Sequence, residues 1–288
     1  MDPKRLLREL SPSAYRTAVR LRRGPAATKL SGMPGRARAR RLFTEGSAVT
    51  VEVGLRQGLG GILSNAAKVL QAAKLHHVDA ALSFTSPTYA PSWGAHDWLE
   101  CYFERLGSRP EHRPVCQFQH VPVARSPSPT ESAALVWGAV RIRDDIAAAA
   151  GAAAQGAFAA VHFRGSDKYI ETPQVGADVV LDVVETEMRR AGLDRLFVAS
   201  DEPRFTDLAR ARLGETVFWL PVEAVATSDG TPPHFTDVPG EIKAREALTT
   251  MLILARAKLL VKTESHLSEW AATLANDQRV VRMTPLKR

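Results

Sequence analysis

The sequence contains little cysteine and no long apolar run. Cys101 and Cys116 are its only cysteines, too few for a disulfide framework or a cysteine-based zinc site, so we expect a reducing, cytoplasmic environment. No stretch approaches the roughly 18 consecutive apolar residues of a membrane-spanning helix, and the N-terminus lacks the apolar core of a secretory signal. These absences predict a protein that is neither anchored by a transmembrane helix nor exported through such a signal.

Several catalytic motifs are absent as well. The sequence has no P-loop, no HExxH and no GxSxG, which argues against the NTPases, zinc proteases and hydrolases that depend on them. The 288 residues are 45% apolar and 24% charged, values typical of a globular protein and not of a disordered chain. This length allows one large domain or two modest ones.

The formal net charge of +7 is concentrated at the N-terminus. Residues 1–45 contain twelve basic and three acidic residues, a balance of +9, which leaves −2 for residues 46–288. Nucleic-acid-binding proteins carry their positive charge on the folded domain, so we expect no nucleic-acid partner. Residues 1–45 are predicted to form a basic arm, either a solvated tail or an interdomain cover. Peripheral contact with anionic lipid at the inner face of the membrane is the alternative.

From residue 46 onward, short β-branched runs alternate with longer amphipathic runs, which is typical of an α/β protein with parallel sheets. Two Rossmann-like halves are predicted, residues 46–150 and 151–288. Strands are predicted at 48–53, 78–84, 115–120, 157–164, 195–201, 216–221, 258–263 and 279–283. Helices are predicted at 62–74, 96–106, 130–156 with a break near Gly151, 175–191, 203–213, 241–257 and 266–275. The alanine-rich run at 147–157 could instead be a flexible hinge, and 222–240 reads as a long polar loop.

Ligands of parallel sheets bind beyond the carboxyl ends of the strands, so the residues that follow each strand are the candidate site. After the first strand, Gly58, Gly60 and Gly61 form a predicted tight loop before a helix, where backbone N–H groups can bind an anion. A plain strand-to-helix turn is the alternative. A dinucleotide-binding GxGxxG fingerprint is not completed, because Leu63 stands at the place of the third glycine.

A second candidate begins inside the strand at 157–164 and reads HFRGSDK. Strand alternation places His162 and Arg164 on one face. An arginine fork, a lysine charge and free backbone N–H groups together suit a diphosphate. The candidate diphosphate ligands are Arg164, Gly165, Ser166 and Lys168. The alternative is a structural ion pair between Arg164 and Asp167, with His162 as a satisfied core histidine.

Two further strands are also followed by polar residues. Ser200 and Asp201 follow the strand at 195–201, and Asp201 could hold a ribose or base edge, or could cap the helix that begins at Pro203. The helix start after the strand at 258–263 is rich in hydroxyls and could form another anion site, with N-capping by Ser265 as the alternative. Its candidate ligands are Thr263, Ser265, His266 and Ser268.

These segments, in this order, resemble the fucosyltransferase superfamily that includes nodulation-factor and core α-1,6-fucosyltransferases, protein O-fucosyltransferases and bacterial α-1,2-fucosyltransferases. HFRGSDK resembles its H-x-R-R/G-x-D-K/Y motif, and LFVASDEP is similar to its second motif. LTTMLILARAKLLVKTESHLSEWAATLA is similar to its third motif, and GLGGILSNAAKVLQAAK resembles its G-L-G-N-x-L element. The resemblance covers about residues 54–75 and 157–275.

The resemblance implies a GT-B-like fold and inverting transfer of fucose from GDP-fucose to a glycan or glycoconjugate hydroxyl. It implies no required metal and no cofactor besides the donor, which the C-terminal half would bind while the N-terminal half binds the acceptor. By resemblance, Arg164 would hold the β-phosphate, His162 the nucleoside region, and Ser265 or Ser268 the diphosphate. The predicted catalytic residues are Arg164 and Lys168 for the departing diphosphate and Glu171, then Asp167, as the base; Asn65 completes the donor-binding set.

Two departures from the superfamily pattern leave the donor and the linkage open. Gly165 replaces the second arginine common in the motif, and Thr250 stands where the α-1,6 branch places an acidic nucleotide contact. A transferase for another nucleotide-deoxysugar and a catalytically idle nucleotide-sugar-binding protein are the alternatives. Residues 85–130 and 222–240 are expected to shape the acceptor site. Aromatic and polar side chains there could bind a sugar or only pack the domain, namely Tyr89, Trp93, His96, Asp97 and Trp98.

Overall fold

Helices and strands alternate along the chain. The computed structural model describes residues 33–44, 48–109, 113–164, 175–225 and 233–284. Its helices are α1 Met33–Thr44, α2 Leu59–Leu75, α3 Leu99–Tyr102, α4 Pro129–Ala139, α5 Asp144–Ala153, α6 Ala177–Ala191, α7 Pro203–Leu213, α8 Gly240–Arg256 and α9 His266–Leu274. Its strands are β1 Val49–Val53, β2 Ala80–Phe84, β3 Phe103–Arg105, β4 Val115–Gln117, β5 Val140–Ile142, β6 Ala159–Phe163, β7 Leu196–Ser200, β8 Val217–Phe218, β9 Leu259–Lys262 and β10 Arg279–Arg282.

Two parallel sheets form the framework. The N-terminal sheet has the order β2-β1-β4, and the C-terminal sheet has the order β10-β9-β6-β7-β8. A small antiparallel ribbon joins β3 and β5. The predicted α/β fold class with parallel sheets is therefore confirmed, and the carboxyl ends of β6, β7 and β9 meet at one sheet edge.

One hydrophobic core connects the elements that carry the two sheets. Helix α9 packs on α2 and α4, and α8 packs on α5. The rings of Trp137 and Trp270 meet edge to face, with centroids 5.6 Å apart. The Trp270 indole N–H donates to the Ser64 hydroxyl at 3.0 Å, and that of Trp137 donates to the Thr273 hydroxyl at 3.1 Å. The buried indole of Trp270 and the half-buried indole of Trp137, both with satisfied N–H groups, hold N-terminal and C-terminal helices together. The predicted domain boundary near residue 150 stays a prediction.

The helix predicted at 130–156 is two helices with a strand between them. The interruption lies at Val140–Ile142, not near Gly151, because this segment pairs with β3. The same pairing explains why the helix predicted at 96–106 covers only Leu99–Tyr102 before the chain becomes extended. The alanine-rich run is helical as far as Ala153, and β8 covers only two residues of the predicted 216–221 strand.

Part of the predicted basic arm belongs to the fold. Ala39 and Phe43, one helical turn apart in α1, are 0% and 1% exposed. The ring of Phe43 meets that of His76 at 6.0 Å, and α1 packs along the edge strand β4. Residues 33–44 are therefore not a solvated tail, while residues 1–32 and 45 lie outside the described residues. In the described ranges, no helix is long and apolar enough to cross a bilayer.

Truncation of Phe43 tests whether α1 is integral to the fold. We expect Phe43→Ala to lower the free energy of unfolding by about 3–5 kcal/mol, because it leaves a cavity under α1. The exposed Arg36 on the same helix is the control, and Arg36→Ala should change stability by no more than about 0.5 kcal/mol. Urea denaturation measures the free energy of unfolding of both variants. Equal losses in the two would contradict the assignment of α1 to the folded core.

Candidate functional site

A cavity of about 640 Å³ lies between the start of α2 and the carboxyl edge of the C-terminal sheet. This volume is within the range of small-molecule binding sites. Its walls come from the start of α2, the ends of β6, β7 and β8, the inner face of α8 and the start of α9. The site therefore lies where the strand-end rule places ligands, with the N-terminal half closing one side.

The starts of two helices converge on this cavity. Helix α2 begins at Leu59 after Gly58, and α9 begins at His266 after Ser265. A Cβ atom at Gly60 would lie 2.6 Å from the carbonyl carbon of His266 and 2.7 Å from the backbone nitrogen of Leu267. Only glycine at this position allows the two helix starts to touch. Each helix N-terminus attracts negative charge, so their convergence favours an anion.

Arg164 follows β6 and is held at the cavity wall. Its backbone N–H donates to the hydroxyl of Thr263 at 2.9 Å, which ties the loop after β6 to the end of β9. Its Nε lies 4.0 Å from Oδ2 of Asp201, and the two side chains are 21% and 11% exposed. A positioned guanidinium on the cavity wall supplies a planar fork for phosphate oxygens.

His162 lies on β6, two residues before Arg164, and is 8% exposed. Its Nδ1 has no hydrogen-bond partner among the residues that the structure describes, although the ring lines the cavity. Burial, together with the charges of Arg164 and Lys262, lowers the pKa of His162 to about 3. The imidazole is therefore neutral near pH 7. The alternative of a fully satisfied core histidine does not hold for this Nδ1.

Lys262 adds a buried positive charge behind His162. It occupies the matching position on β9 and is 2% exposed. Its Nζ lies 2.6 Å from Oε1 of Glu269, and Arg282 approaches the other oxygen of this carboxylate at 3.3 Å. Burial lowers the pKa of Lys262, while the hydrogen bond to Glu269 opposes the shift. The carboxylate compensates a charge that would otherwise be costly to bury.

The structure brings many of the predicted ligands to this cavity. Cavity-lining predicted residues are Gly58, Gly60, Gly61, His162, Arg164, Ser200, Asp201 and His266. The glycines do not form a separate loop, because α2 already begins at Leu59. Four other predicted ligands are described by the structure but are buried away from the wall, namely Asn65, Thr263, Ser265 and Ser268. Ser265 caps α9 by accepting from the Leu267 N–H at 3.3 Å, and the Ser268 hydroxyl donates to the Ser265 carbonyl at 3.2 Å.

The remaining predicted site residues lie outside the described residues. They are Gly165, Ser166, Asp167, Lys168 and Glu171. Their assignment to the diphosphate and to the base stays a prediction. In the ranges that the structure describes, no group of three or more His, Cys, Asp or Glu side chains is placed to hold a metal ion.

Sequence reasoning missed the aromatic part of the cavity wall. Trp219 and Phe235 are 41% and 50% exposed and both line the cavity. The guanidinium of Arg210 stacks over the Trp219 ring at 4.6 Å. Nearby, the carboxylate of Glu246 accepts from the backbone N–H groups of Glu223 and Ala224 at 2.7 and 3.1 Å, which fixes the chain after β8. The available signal was Trp219 itself, an aromatic residue near the end of the predicted 216–221 strand, but the sequence did not show that it faces a cavity.

Known structures share this architecture. The alpha-1,6-fucosyltransferase NodZ soaked with GDP-fucose matches 78% of this chain and 92% of its own, with a TM-score of 0.53 and 15% identity. NodZ from Bradyrhizobium matches with a TM-score of 0.52 at 14% identity and the same coverage. POFUT1 in complex with GDP matches 82% of this chain and 98% of its own, with a TM-score of 0.51 and 12% identity. The chain has a fucosyltransferase-like fold.

These solved structures were matched by their fold and not by overall sequence similarity. No protein-family model matches the sequence, and no curated protein matches it significantly. At 12–15% identity, the likeness to the solved fucosyltransferases concerns the fold. The GT-B-like architecture implied by the sequence resemblance is therefore confirmed.

The contact at Gly60 yields a first test of the site. In an ordinary helix Gly→Ala is stabilising, but here the added methyl group meets backbone atoms of α9. We expect Gly60→Ala to lower the free energy of unfolding by about 1–3 kcal/mol. Gly58→Ala is the matched control, because a Cβ there meets nothing within 4 Å. Urea denaturation distinguishes the two, and a stabilised Gly60→Ala variant would contradict the close contact.

The neutral His162 makes stability depend on pH. Its folded pKa of about 3 lies below the unfolded value, so the unfolded chain binds the proton first as the pH falls. The stability that this group contributes is present above pH ~6.5 and is lost towards pH ~3. Between pH ~6.5 and ~4.5 we expect the loss to be about 2 kcal/mol larger in the wild type than in His162→Gln. Denaturant unfolding at the two pH values measures the loss of stability in both proteins. An equal loss in the wild type and in His162→Gln would refute the lowered pKa of His162.

Proposed function

We propose that the protein is an inverting, metal-independent glycosyltransferase that moves fucose from GDP-fucose to a hydroxyl of a glycan or glycoconjugate. The observation that carries the proposal is the convergence of Arg164, His162 and two helix starts on one cavity. Proteins with the same fold have been solved after soaking with GDP-fucose or in complex with GDP, which supports a donor of this class.

The cavity suggests how the donor lies. Arg164 and the starts of α2 and α9 contribute positive potential to the same stretch of wall, and we place the diphosphate there. The nucleoside then extends towards Ser200 and Asp201 at the end of β7, with the Trp219 ring on the same wall. Exposed aromatic surface suits a nucleobase, and strand-end polar groups suit a ribose.

The reaction follows from this placement. An acceptor hydroxyl forms a bond to the anomeric carbon from the face opposite the diphosphate, while the bond from that carbon to the phosphate oxygen breaks. The electron pair leaves with the nucleoside diphosphate, so negative charge grows next to Arg164 and the two helix starts. Preorganised donors at such a position lower the barrier. The hydroxyl proton passes to a base, for which Glu171 is the first candidate and Asp167 the second.

The acceptor and the membrane contact belong to the same proposal. The N-terminal half is expected to hold the acceptor, because the proposal places the donor at the C-terminal strand ends. Helix α1 presents an arginine-rich face to solvent, formed by Arg36, Arg38, Arg40 and Arg41. Such a face is compatible with peripheral contact with anionic lipid at the cytoplasmic side of a membrane.

A panel of nucleotides tests the donor class. GDP, UDP, TDP and NAD are compared at matched concentration by thermal unfolding, since a ligand at about 100 times its Kd adds roughly 2.7 kcal/mol of stability. We expect GDP to stabilise most. Stabilisation by UDP or TDP in place of GDP would indicate another donor, and stabilisation by NAD alone would contradict the proposal.

Replacement of Arg164 tests the diphosphate assignment. We expect Arg164→Ala to raise the barrier to transfer by about 3–4 kcal/mol, a 10²- to 10³-fold loss of kcat. The control is Arg195→Ala. Arg195 lies at the amino end of β7, away from the cavity, where its guanidinium stacks 4.7 Å from the Phe218 ring centroid.

Transfer and donor-hydrolysis assays on the folded variants measure this effect. Near-normal transfer by Arg164→Ala would refute the role of Arg164. A wild-type protein that binds GDP without transfer or hydrolysis would instead be an idle nucleotide-sugar-binding protein.

A further inference from the structure

Tyr89 reaches the same cavity from a segment that carries none of the superfamily motifs. Its side chain is 4% exposed, and it lines the cavity. Its hydroxyl oxygen accepts a hydrogen bond from the Leu59 backbone N–H at 2.8 Å. Gly58, at the N-cap position, has no side chain to satisfy any of the free N–H groups of the first turn. The tyrosine hydroxyl therefore takes the capping role at the start of α2.

The ring of Tyr89 is held rigidly. It meets Trp98 edge to face with centroids 5.8 Å apart, and the Tyr102 hydroxyl donates to the Tyr89 carbonyl at 3.2 Å. A Cβ atom at Gly240 would lie 2.8 Å from the carbonyl carbon of Tyr89, so the start of α8 also presses on this segment. The hydroxyl thus has little freedom to leave the wall of the cavity.

The hydroxyl proton of Tyr89 is not used within the described protein. The oxygen accepts from Leu59, but the O–H donates to no acceptor among the residues that the structure describes. Burial raises the pKa of Tyr89 to about 12, so the group stays a neutral donor at working pH. A buried donor without an acceptor costs stability unless a ligand completes the bond.

The charge around this hydroxyl indicates the kind of acceptor it would meet. The start of α2 and the guanidinium of Arg164 both contribute positive potential at Tyr89. His162, more than nine-tenths buried, presents an unpartnered Nδ1 to the same cavity and is an independent sign that the wall is built around a ligand. An anionic oxygen suits this position better than a neutral acceptor hydroxyl.

We propose that the Tyr89 O–H donates a hydrogen bond to a phosphate oxygen of the bound diphosphate and so stabilises the departing group. The identity of the nucleotide rests on the proposed function, whereas the phosphate contact does not. Tyr89 would thus take part in the reaction although it lies in none of the sequence motifs. The N-terminal half would supply it to a ligand held mainly by the C-terminal half.

The test compares Tyr89→Phe with Tyr102→Phe. Both remove one hydroxyl from the same aromatic cluster and keep the ring, but Tyr102 does not line the cavity. Binding of GDP and of inorganic pyrophosphate is measured by calorimetry, with thermal unfolding as the folding control. We expect Tyr89→Phe to weaken both ligands about 10- to 100-fold. Tyr102→Phe removes only the bond to the Tyr89 carbonyl and leaves the Tyr89 hydroxyl in place, so we expect it to weaken them by no more than about threefold. Because the lost donor does not titrate at working pH, the loss should be the same from pH 6 to pH 8.

The other outcomes separate the two proposals. Unchanged binding by a folded Tyr89→Phe variant would overturn the phosphate contact, as would a rise only in the KM of the sugar acceptor or a loss only of thermal stability. If the wild type binds pyrophosphate but not GDP, the proposed donor is wrong while Tyr89 is still tested with pyrophosphate. If it binds neither, both proposals fail.

A structure of the wild type covers the case in which Tyr89→Phe does not fold. In the complex with GDP or pyrophosphate, a Tyr89 hydroxyl to phosphate oxygen distance of about 2.5–3.0 Å supports the contact. A distance beyond about 3.5 Å overturns it.

Discussion

The close contact between the starts of α2 and α9 is the constraint on which the rest of the site depends. It exists because Gly60 has no side chain to separate α2 from the backbone of His266 and Leu267. The contact holds the N-terminal half against the carboxyl edge of the C-terminal sheet, and the Trp270 bond to Ser64 secures it farther along the same helices. Two positive helix ends consequently face one cavity, which neither half would form alone.

The electrostatics of the cavity are consistent with this arrangement. Lys262 is buried with a carboxylate partner, and Arg164 is placed near Asp201. Burial and the charges of Arg164 and Lys262 keep His162 neutral. The pairing limits the cost of positive charge in a poorly solvated place, while the helix ends and the guanidinium keep the potential favourable for an anion. The hydroxyl of Tyr89 fits the same pattern, since it caps one helix and retains a proton to donate.

The C-terminal sheet was largely predictable because its strands are short, β-branched runs separated by amphipathic helices. The predicted strands over β6, β7 and β9 differ from the observed ones by only a few residues, and their polar ends line the cavity where the strand-end rule puts them. The N-terminal half was harder. β3 and β5 exist only as partners of each other, far apart in sequence, so local pattern favoured helices at both places. α1 shows the same effect, because only contact with β4 reveals its apolar stripe as a buried face.

The sequence by itself determined which chemical groups follow the strands of the C-terminal sheet and in what order, since strand period and strand ends are local properties of the chain. Tertiary structure alone decided which of these groups face the ligand cavity. It turned Thr263, Ser265 and Ser268 inward as supports and brought Tyr89 from a segment without a recognisable motif to the start of α2. Side-chain direction beyond a strand end depends on which distant helix packs there, and that contact is not encoded in any local pattern.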